Sequence, residues 1–85
     1  MSAYQIRITK QAKKDIARLT PKLRKKLRTI LVEIIAQTPY EGKKLQGDLD
    51  GYYSIRLSYQ DRVVYSVDEK DCVVHIRRAR THYGE

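Results

Sequence analysis

Residues 52–79 read YYSIRLSYQDRVVYSVDEKDCVVHIRRA and comprise three β-type stretches separated by short polar connections. The stretches cover residues 52–58, 62–67 and 72–79 and are rich in valine, isoleucine and tyrosine, which favour strands. Connections this short join neighbouring strands that run antiparallel. This part of the chain is therefore predicted to form a three-stranded antiparallel meander.

The first hairpin of the meander predicts which side chains share a face of the sheet. With Ile55 and Leu57 facing the core, an odd-numbered connection puts the core-facing residues of the next strand on the same side. Those residues are Val63, Tyr65 and Val67. The opposite face carries two arginines and two serines, Arg56, Ser58, Arg62 and Ser66. Arginines held on a rigid sheet suit a phosphate clamp, although two arginines alone are more often an ordinary exposed pair.

The N-terminal half of the chain is predicted to contribute one strand and two helices. Tyr4, Ile6 and Ile8 alternate with polar residues, which is the period of a half-buried strand. A short amphipathic helix follows Thr9, a suitable N-cap. A second helix covers residues 21 to about 37, because Thr20-Pro21 provides an N-cap and a first-turn proline. Its end is set by Thr38-Pro39, since a residue before proline avoids the helical region.

These elements predict an α+β fold. The N-terminal strand and a two-helix hairpin pack on an antiparallel sheet, which the C-terminal meander completes. The chain has 85 residues, which suit one domain spanning residues 1–85. Between the second helix and the meander, EGKKLQGDLDG (residues 41–51) has the composition of an irregular loop and is a candidate site loop.

Composition narrows the classes of protein that the chain can belong to. A hydrophobic share of 41% excludes outright disorder, and no apolar run approaches the roughly 18 residues of a membrane helix. The first ten residues lack the apolar block of a secretory signal. Cys72 is the single cysteine, so no internal disulfide forms. A cytoplasmic protein is predicted, with no membrane association.

The charge of the chain points to an anionic partner. Eighteen Lys and Arg against ten Asp and Glu give a formal net charge of +8, and ten of the basic side chains lie in residues 1–33. Nucleic acid, an acidic protein or a merely solvated basic face all fit this balance. The lysines of the second helix, Lys22, Lys25 and Lys26, most simply form a solvated helix face, and a weak electrostatic role toward RNA is compatible with that.

Chemistry-bearing side chains concentrate at the end of the sequence. The last strand becomes basic at Arg77, Arg78 and Arg80 and is followed by His82 and Tyr83. An isolated terminal histidine is usually an ordinary surface residue, but here it follows an arginine cluster. No group of histidine, cysteine, aspartate and glutamate shows ligand spacing in the sequence, so neither a metal nor another cofactor is predicted.

Taken together, the motifs resemble the RelE/ParE superfamily of bacterial toxins from toxin–antitoxin pairs, most closely its YoeB-like ribonuclease branch. They are TPYEGKKL (38–45), LQGDLDGYYSIR (45–56), DRVVY (61–65) and the terminal HY pair (82–83). The resemblance covers nearly the whole chain. It implies a RelE-like fold and a ribosome-dependent, metal-independent endoribonuclease that cleaves mRNA in the A site of the 70S ribosome and inhibits translation. It also implies a cognate acidic antitoxin that holds the toxin inactive.

The resemblance also implies which residues act. The family's functional arginines fall on Arg56, Arg62 and Arg80, and its terminal histidine and aromatic residue fall on His82 and Tyr83. His82 is then the general acid or base, the arginines bind the phosphate, and Tyr83 stacks on a base or orients the substrate.

One position departs from the YoeB-like pattern. Lys43 stands where YoeB-like enzymes carry a glutamate, and Glu41 lies two positions away. A carboxylate base is therefore missing at that place, and Lys43 becomes a further candidate cation. The residues expected to bind RNA or the ribosome are Lys44, Arg77, Arg78, Lys22, Lys25 and Lys26. The alternatives are a ParE-like toxin that inhibits DNA gyrase by binding, and a basic RNA- or ribosome-binding module without catalysis.

Overall fold

The structure is a computed structural model that describes residues 3–45, 47, 51–59 and 61–81. Residues 80 and 81 are described by their backbone alone. Within these residues five strands form one sheet, in the spatial order β1-β5-β4-β3-β2. The strands are β1 (Gln5–Ile8), β2 (Lys43–Lys44), β3 (Tyr52–Arg56), β4 (Asp61–Asp68) and β5 (Val73–Thr81). Two α-helices, α1 (Lys10–Ala17) and α2 (Pro21–Ile30), follow β1. The predicted α+β fold is confirmed.

The sheet differs from the prediction in one respect, because it is mixed and not antiparallel. β1 pairs with β5 in parallel, in a register that runs from Gln5 opposite Val73 to Ile8 opposite Ile76. The meander β3-β4-β5 is antiparallel, as predicted. The sequence between β1 and the meander includes both helices, and such a long connection allows two strands to run in the same direction.

Both helices begin where the sequence predicts. The Thr9 hydroxyl accepts a hydrogen bond from the Ala12 N–H at 3.1 Å, and the Thr20 hydroxyl accepts one from the Leu23 N–H at 3.2 Å. Each threonine satisfies a donor that the first helical turn leaves free. The second helix differs from the prediction at its end, where Leu31–Ile35 form a π-helical turn. The Ala36 N–H bonds to the Leu31 carbonyl at 2.9 Å, one residue further along than in an α-helix.

The core lies between the helices and one face of the sheet. Its members come from every layer: Ala12, Leu19, Leu27, Ile30, Leu31, Ile35, Leu57, Val63, Tyr65, Val74, Ile76 and Ala79. The predicted facing of the first hairpin is confirmed, since Leu57, Val63 and Tyr65 are fully buried and Ile55 and Val67 pack against them. Arg56 and Arg62 are exposed on the opposite face, as expected.

The predicted irregular loop at residues 41–51 contains regular structure in its first part. A 3-10 turn at Pro39–Glu41 leads into β2, and Lys43 lies opposite Ser54 of β3. The Leu45 N–H donates to the Tyr52 carbonyl at 2.9 Å. The loop thus adds a short edge strand to the sheet, which fixes the position of Lys43 relative to β3.

Candidate functional site

Three arginines occupy one register row across three neighbouring strands, and two of them, Arg56 and Arg62, are exposed on the face opposite the core. Arg56 of β3 is the register partner of Arg62 of β4, and Arg62 is the partner of Arg80 of β5. Like charges directly opposite each other on neighbouring strands repel and destabilise a sheet. This row is therefore a poor arrangement for stability alone, and it is well suited to binding an anion such as a phosphate.

A β-bulge in β5 puts Arg80 in that row. Ile76 pairs with Tyr65 and Arg78 pairs with Val64, so Arg77 is an extra residue without its own partner on β4. Side chains alternate between faces along a strand. With Ile76 in the core, strict alternation would turn position 79 away from the core, and the extra residue reverses the facing beyond it. The bulge thereby buries Ala79 and places Arg80 opposite Arg62.

Lys43 lies on the same face of the sheet, near Arg56. Its register partner Ser54 precedes Arg56 by two residues, so both belong to the same side of β3. Ser54 is buried and pairs with Val64, which is also fully buried. These two small side chains form a floor next to the arginine row. Lys43 and Lys44 are both exposed at the edge of the sheet.

The tyrosine at the centre of β4 holds the segment that precedes Lys43. The Tyr65 hydroxyl donates to the Pro39 carbonyl at 2.7 Å and accepts from the Gly42 N–H at 3.2 Å. Burial is the main cause that raises the pKa of Tyr65 to about 12, so the phenol keeps its proton and its donor role at neutral pH. Its ring stacks on Tyr53 at a centroid distance of 5.7 Å, and Tyr53 meets Tyr40 edge to face at 5.6 Å. The chain leading to Lys43 is therefore fixed from the core.

Two of the predicted RNA-binding arginines have partners within the protein. The Arg77 Nε donates to the Ser66 hydroxyl at 3.2 Å, and its guanidinium lies 5.7 Å from the centre of the Tyr52 ring. The Arg78 Nε donates to the Asp15 carboxylate at 2.8 Å. Both contacts contribute to the structure of the sheet. A contact of either arginine with RNA stays a prediction.

The Asp15 carboxylate was not singled out by the sequence. It is 8% exposed and also accepts a hydrogen bond from the Ala79 N–H at 3.1 Å. Burial on its own would raise the pKa of Asp15, but hydrogen bonds from Arg78 and Ala79 and the charge of Arg78 outweigh burial and bring the pKa below its ordinary value of 3.8. Asp15 is therefore ionised at neutral pH.

Comparison with known proteins places this architecture in a family. The profile of the YoeB-like toxins of bacterial type II toxin-antitoxin systems matches residues 7–83. The chain belongs to this family. Toxin YoeB of Synechocystis sp. is 33% identical over 58 residues, a match that spans 64% of this chain and 65% of that relative.

Two solved structures of relatives have the same fold over nearly the whole chain. The toxin-antitoxin complex RelBE2 of Mycobacterium tuberculosis contains a chain that is 26% identical, with a TM-score of 0.86 and coverage of 96% of this chain and 94% of that one. The YoeB-YefM complex of Staphylococcus aureus contains one that is 32% identical, with a TM-score of 0.76 and coverage of 94% and 98%. Both relatives were solved with their antitoxins.

The other predicted residues of this YoeB-like chain occupy different places. Lys22, Lys25 and Lys26 are exposed on α2, which packs on the face of the sheet opposite the arginine row. The structure therefore does not bring them together with Arg62. His82 and Tyr83 lie outside the described residues; β5 ends at Thr81, opposite Asp61, so His82 is the next residue in sequence after a strand that carries Arg80.

The described part of the chain lacks both a membrane-spanning helix and a cluster of metal-ligating side chains. None of its helices is long and apolar enough to cross a membrane. Within the same residues, no group of three or more histidine, cysteine, aspartate or glutamate side chains is arranged to hold a metal ion. Of the predicted site residues, the described part of the chain brings together Arg56, Arg62 and Arg80 as register partners, with Lys43 opposite Ser54 of β3.

Proposed function

We propose that this YoeB-like chain is a toxin that cleaves mRNA on the ribosome without a metal ion. The observation that carries the proposal is the register that makes Arg56, Arg62 and Arg80 partners across three neighbouring strands. Ribosome-dependent mRNA cleavage is the activity known for the family, and the matching profile is that of YoeB-like toxins. A ParE-like gyrase inhibitor is therefore not favoured.

The reaction is an attack by the ribose 2′-hydroxyl on the adjacent phosphate. The bond from the 2′-oxygen to phosphorus forms, the bond from phosphorus to the 5′-oxygen breaks, and the products are a 2′,3′-cyclic phosphate and a 5′-hydroxyl. A base takes the proton of the 2′-hydroxyl, and an acid gives one to the 5′-oxygen. Cations stabilise the negative charge that builds up on the phosphate oxygens in the transition state.

The side chains of the site divide these roles among them. Arg62 and Arg80 bind the phosphate, because a guanidinium is permanently charged and presents several fixed donors. Arg56 and Lys43 supply further positive charge next to them. His82 transfers a proton, since an unperturbed imidazole with a pKa of about 6.5 serves as acid or base near neutrality. Tyr83 stacks on a base or orients the substrate.

Binding to the ribosome involves the basic surface outside this row. Lys44 adds an exposed positive charge at the sheet edge next to Lys43, and Arg77 and Arg78 lie on β5 at and after the bulge. Lys22, Lys25 and Lys26 present a separate basic surface on α2, which we assign to electrostatic contact with ribosomal RNA. The ribosome then holds the mRNA in a reactive pose on a domain too small to enclose it.

An apolar groove on the helical side is proposed to receive the antitoxin. The groove has a volume of about 610 Å³, runs between β1, α1 and α2, and is lined by apolar side chains that include Ile6, Ile16 and Val32. Val32 is 57% exposed, which is high for a valine. The cations Arg24, Lys25 and Arg28 also line the groove. An acidic amphipathic segment of a cognate antitoxin matches both its apolar floor and its charge.

A cleavage assay on translating ribosomes tests the proposal. Purified toxin is expected to cut mRNA in the A site, and EDTA at a concentration that leaves ribosomes intact should not prevent cleavage. The upstream product should end in a 2′,3′-cyclic phosphate and the downstream product should begin with a 5′-hydroxyl. Inhibition of gyrase supercoiling without cleavage, or ribosome binding without cleavage, would contradict the proposal.

A further inference from the structure

The outer half of β5, residues 77–81, is bordered by helix α1 and not by β1, which ends before it. β1 pairs with β5 only as far as Ile76, and the chain then turns into α1 at Thr9. Beyond that point α1 packs beside β5. The Ala79 N–H, which has no strand partner on this side, donates to the Asp15 carboxylate at 3.1 Å. A side chain of α1 thus replaces a missing strand.

Helix α1 and its N-cap residue Thr9 contact three consecutive residues of β5. The Thr9 hydroxyl donates to the Arg77 carbonyl at 3.3 Å. Asp15 accepts from the Arg78 Nε at 2.8 Å through one carboxylate oxygen and from the Arg78 Nη2 at 3.4 Å through the other. These residues are the bulge and the positions that follow it. Since hydrogen bonds to a charged, buried group are stronger than neutral ones, Asp15 provides the main restraint.

The restraint on the bulged segment also determines which residue of β5 lies opposite Arg62. The bulge at Arg77 is what turns Ala79 into the core and brings Arg80 opposite Arg62. A bulged segment without a fixed partner could shift by one residue, and a shift of one residue sends every following side chain to the other face. In the observed register, both the N–H of Ala79 and the guanidinium of Arg78 reach the Asp15 carboxylate.

We infer that Asp15 is a positioning residue of the active site, which fixes the bulged register of β5 and thereby holds Arg80 opposite Arg62. Asp15 lies on α1 and is buried beside β5, so it acts on the reaction through the strand and not by touching RNA. The inference rests on the proposed function in one respect, namely that the arginine row binds the scissile phosphate. Its structural half, the control of the register, stands independently.

Amide hydrogen exchange measured by NMR tests the structural half without any activity assay. In Asp15→Ala, exchange at Ala79 and Arg80 is expected to accelerate on the order of tenfold to hundredfold, the range for loss of a charge-assisted bond. Val74 and Ile76, in the half of β5 that β1 covers, should keep their protection. Asp15→Asn retains an acceptor for the Ala79 N–H, so its exchange rates at Ala79 and Arg80 should lie between those of Asp15→Ala and the wild type. If Asp15→Ala does not fold, Asp15→Asn takes its place in the test.

A double-mutant cycle tests the functional half. Asp15→Ala is expected to lower the single-turnover cleavage rate by about tenfold, whereas in an Arg80→Ala background the same change should cost less than about twofold. Glu33→Gln, a change at an exposed carboxylate on the other helical segment, is the control and should have no effect. Losses that multiply independently would overturn the inference, since Asp15 would then not act through Arg80.

The two arms separate the possible failures. Acceleration of exchange across the whole sheet would overturn the positioning role, whatever the activity. So would exchange at Ala79 and Arg80 that is no faster than in the wild type. If the wild-type protein cleaves no RNA while exchange in Asp15→Ala rises at Ala79 and Arg80 alone, the proposed function is wrong and the control of the register by Asp15 is upheld.

Discussion

Tyr65 and Gly42 are in direct contact, with the Gly42 N–H donating to the Tyr65 hydroxyl at 3.2 Å. The contact needs a glycine because of space. A Cβ atom at position 42 would lie 2.5 Å from the Tyr65 hydroxyl oxygen and 2.9 Å from the Ser54 carbonyl oxygen. The backbone of Gly42 has a φ of −70°, which any residue adopts, so the close approach alone requires glycine. The next residue is Lys43, which the contact therefore helps to place.

Replacing Gly42 with alanine is expected to destabilise the protein by about 1–3 kcal/mol, the range for overpacking a well-packed site. Either Tyr65 or the backbone of β2 has to move, so Lys43 should shift relative to Ser54. Tyr65→Phe should cost a similar amount, because the Gly42 N–H and the Pro39 carbonyl lose their buried partner. Urea unfolding measures both effects. The control Tyr59→Phe, at a side chain that is 89% exposed, should change stability little; an equal cost there would contradict the argument.

Removal of one arginine of the row, or of the histidine, should affect the chemical step more than binding. Arg62→Ala and His82→Ala are each expected to lower single-turnover cleavage at saturating toxin by about 10²-fold or more, the scale of electrostatic and proton-transfer contributions. Lys22→Ala and Lys25→Ala are the comparison. Both lysines lie on the helical side, so their removal should weaken ribosome binding, most of all at low salt, and should leave the chemical step unchanged. Helix lysines that cost the chemical step as much as His82 would show that the site is misplaced.

The lysine that departs from the family pattern allows a sign test. If position 43 in YoeB-like relatives houses a base, Lys43→Glu should keep or raise the cleavage rate. If Lys43 instead supplies positive charge to the phosphate, the same change should lower the rate, since it reverses a charge near Arg56. We expect the rate to fall, because the register puts Lys43 beside the arginine row. Lys44→Glu, at the neighbouring exposed residue, is the control for charge alone, and a rate raised in Lys43→Glu would refute our expectation.

The ionised state of Asp15 predicts how stability depends on pH. Its folded pKa is below the ordinary 3.8, so the unfolded chain binds more protons near that pH. The stabilisation from Asp15 is therefore complete above about pH 4 and is lost as the pH falls through the lower folded pKa. The difference in unfolding free energy between wild type and Asp15→Asn should be largest at neutral pH and shrink below about pH 4. A difference that stays constant or grows down to pH 3, measured by urea unfolding, would contradict this assignment.

The sequence was sufficient where a regular period governs the structure. The alternation of core residues in the first hairpin and the odd length of its connection correctly placed Arg56 and Arg62 on one face. Those core residues are Ile55, Leu57, Val63 and Tyr65. The threonine caps of both helices are likewise local signals, because each depends on a residue and the N–H three positions later.

The features that sequence reasoning missed depend on tertiary contacts. The bulge at Arg77 leaves no residue pattern, since it is held by Thr9 and Asp15 from the other end of the chain. The strand β2 has two residues, too few to show a period, and its pairing with β3 defines it. The parallel pairing of β1 with β5 also has no local signature. These contacts fix Arg80 and Lys43. The family resemblance named both residues, but no residue pattern in the sequence places them beside Arg62 and Arg56.

The final prediction concerns the antitoxin. Expression of this chain alone in bacteria is expected to arrest growth, and coexpression of the adjacent acidic open reading frame should rescue it.

Because the proposed groove has an apolar floor and a basic rim, Val32→Glu should weaken the complex in two ways, by losing apolar contact and by repelling an acidic segment. Rescue of Val32→Glu should then need more antitoxin, while its cleavage on the ribosome stays unchanged. Thr29→Glu introduces the same charge at an exposed position of α2 that does not line the groove, and it should be rescued like the wild type. Equal rescue of both variants, or growth of cells that express the lone soluble chain at a high level, would contradict the antitoxin site and the toxin assignment respectively.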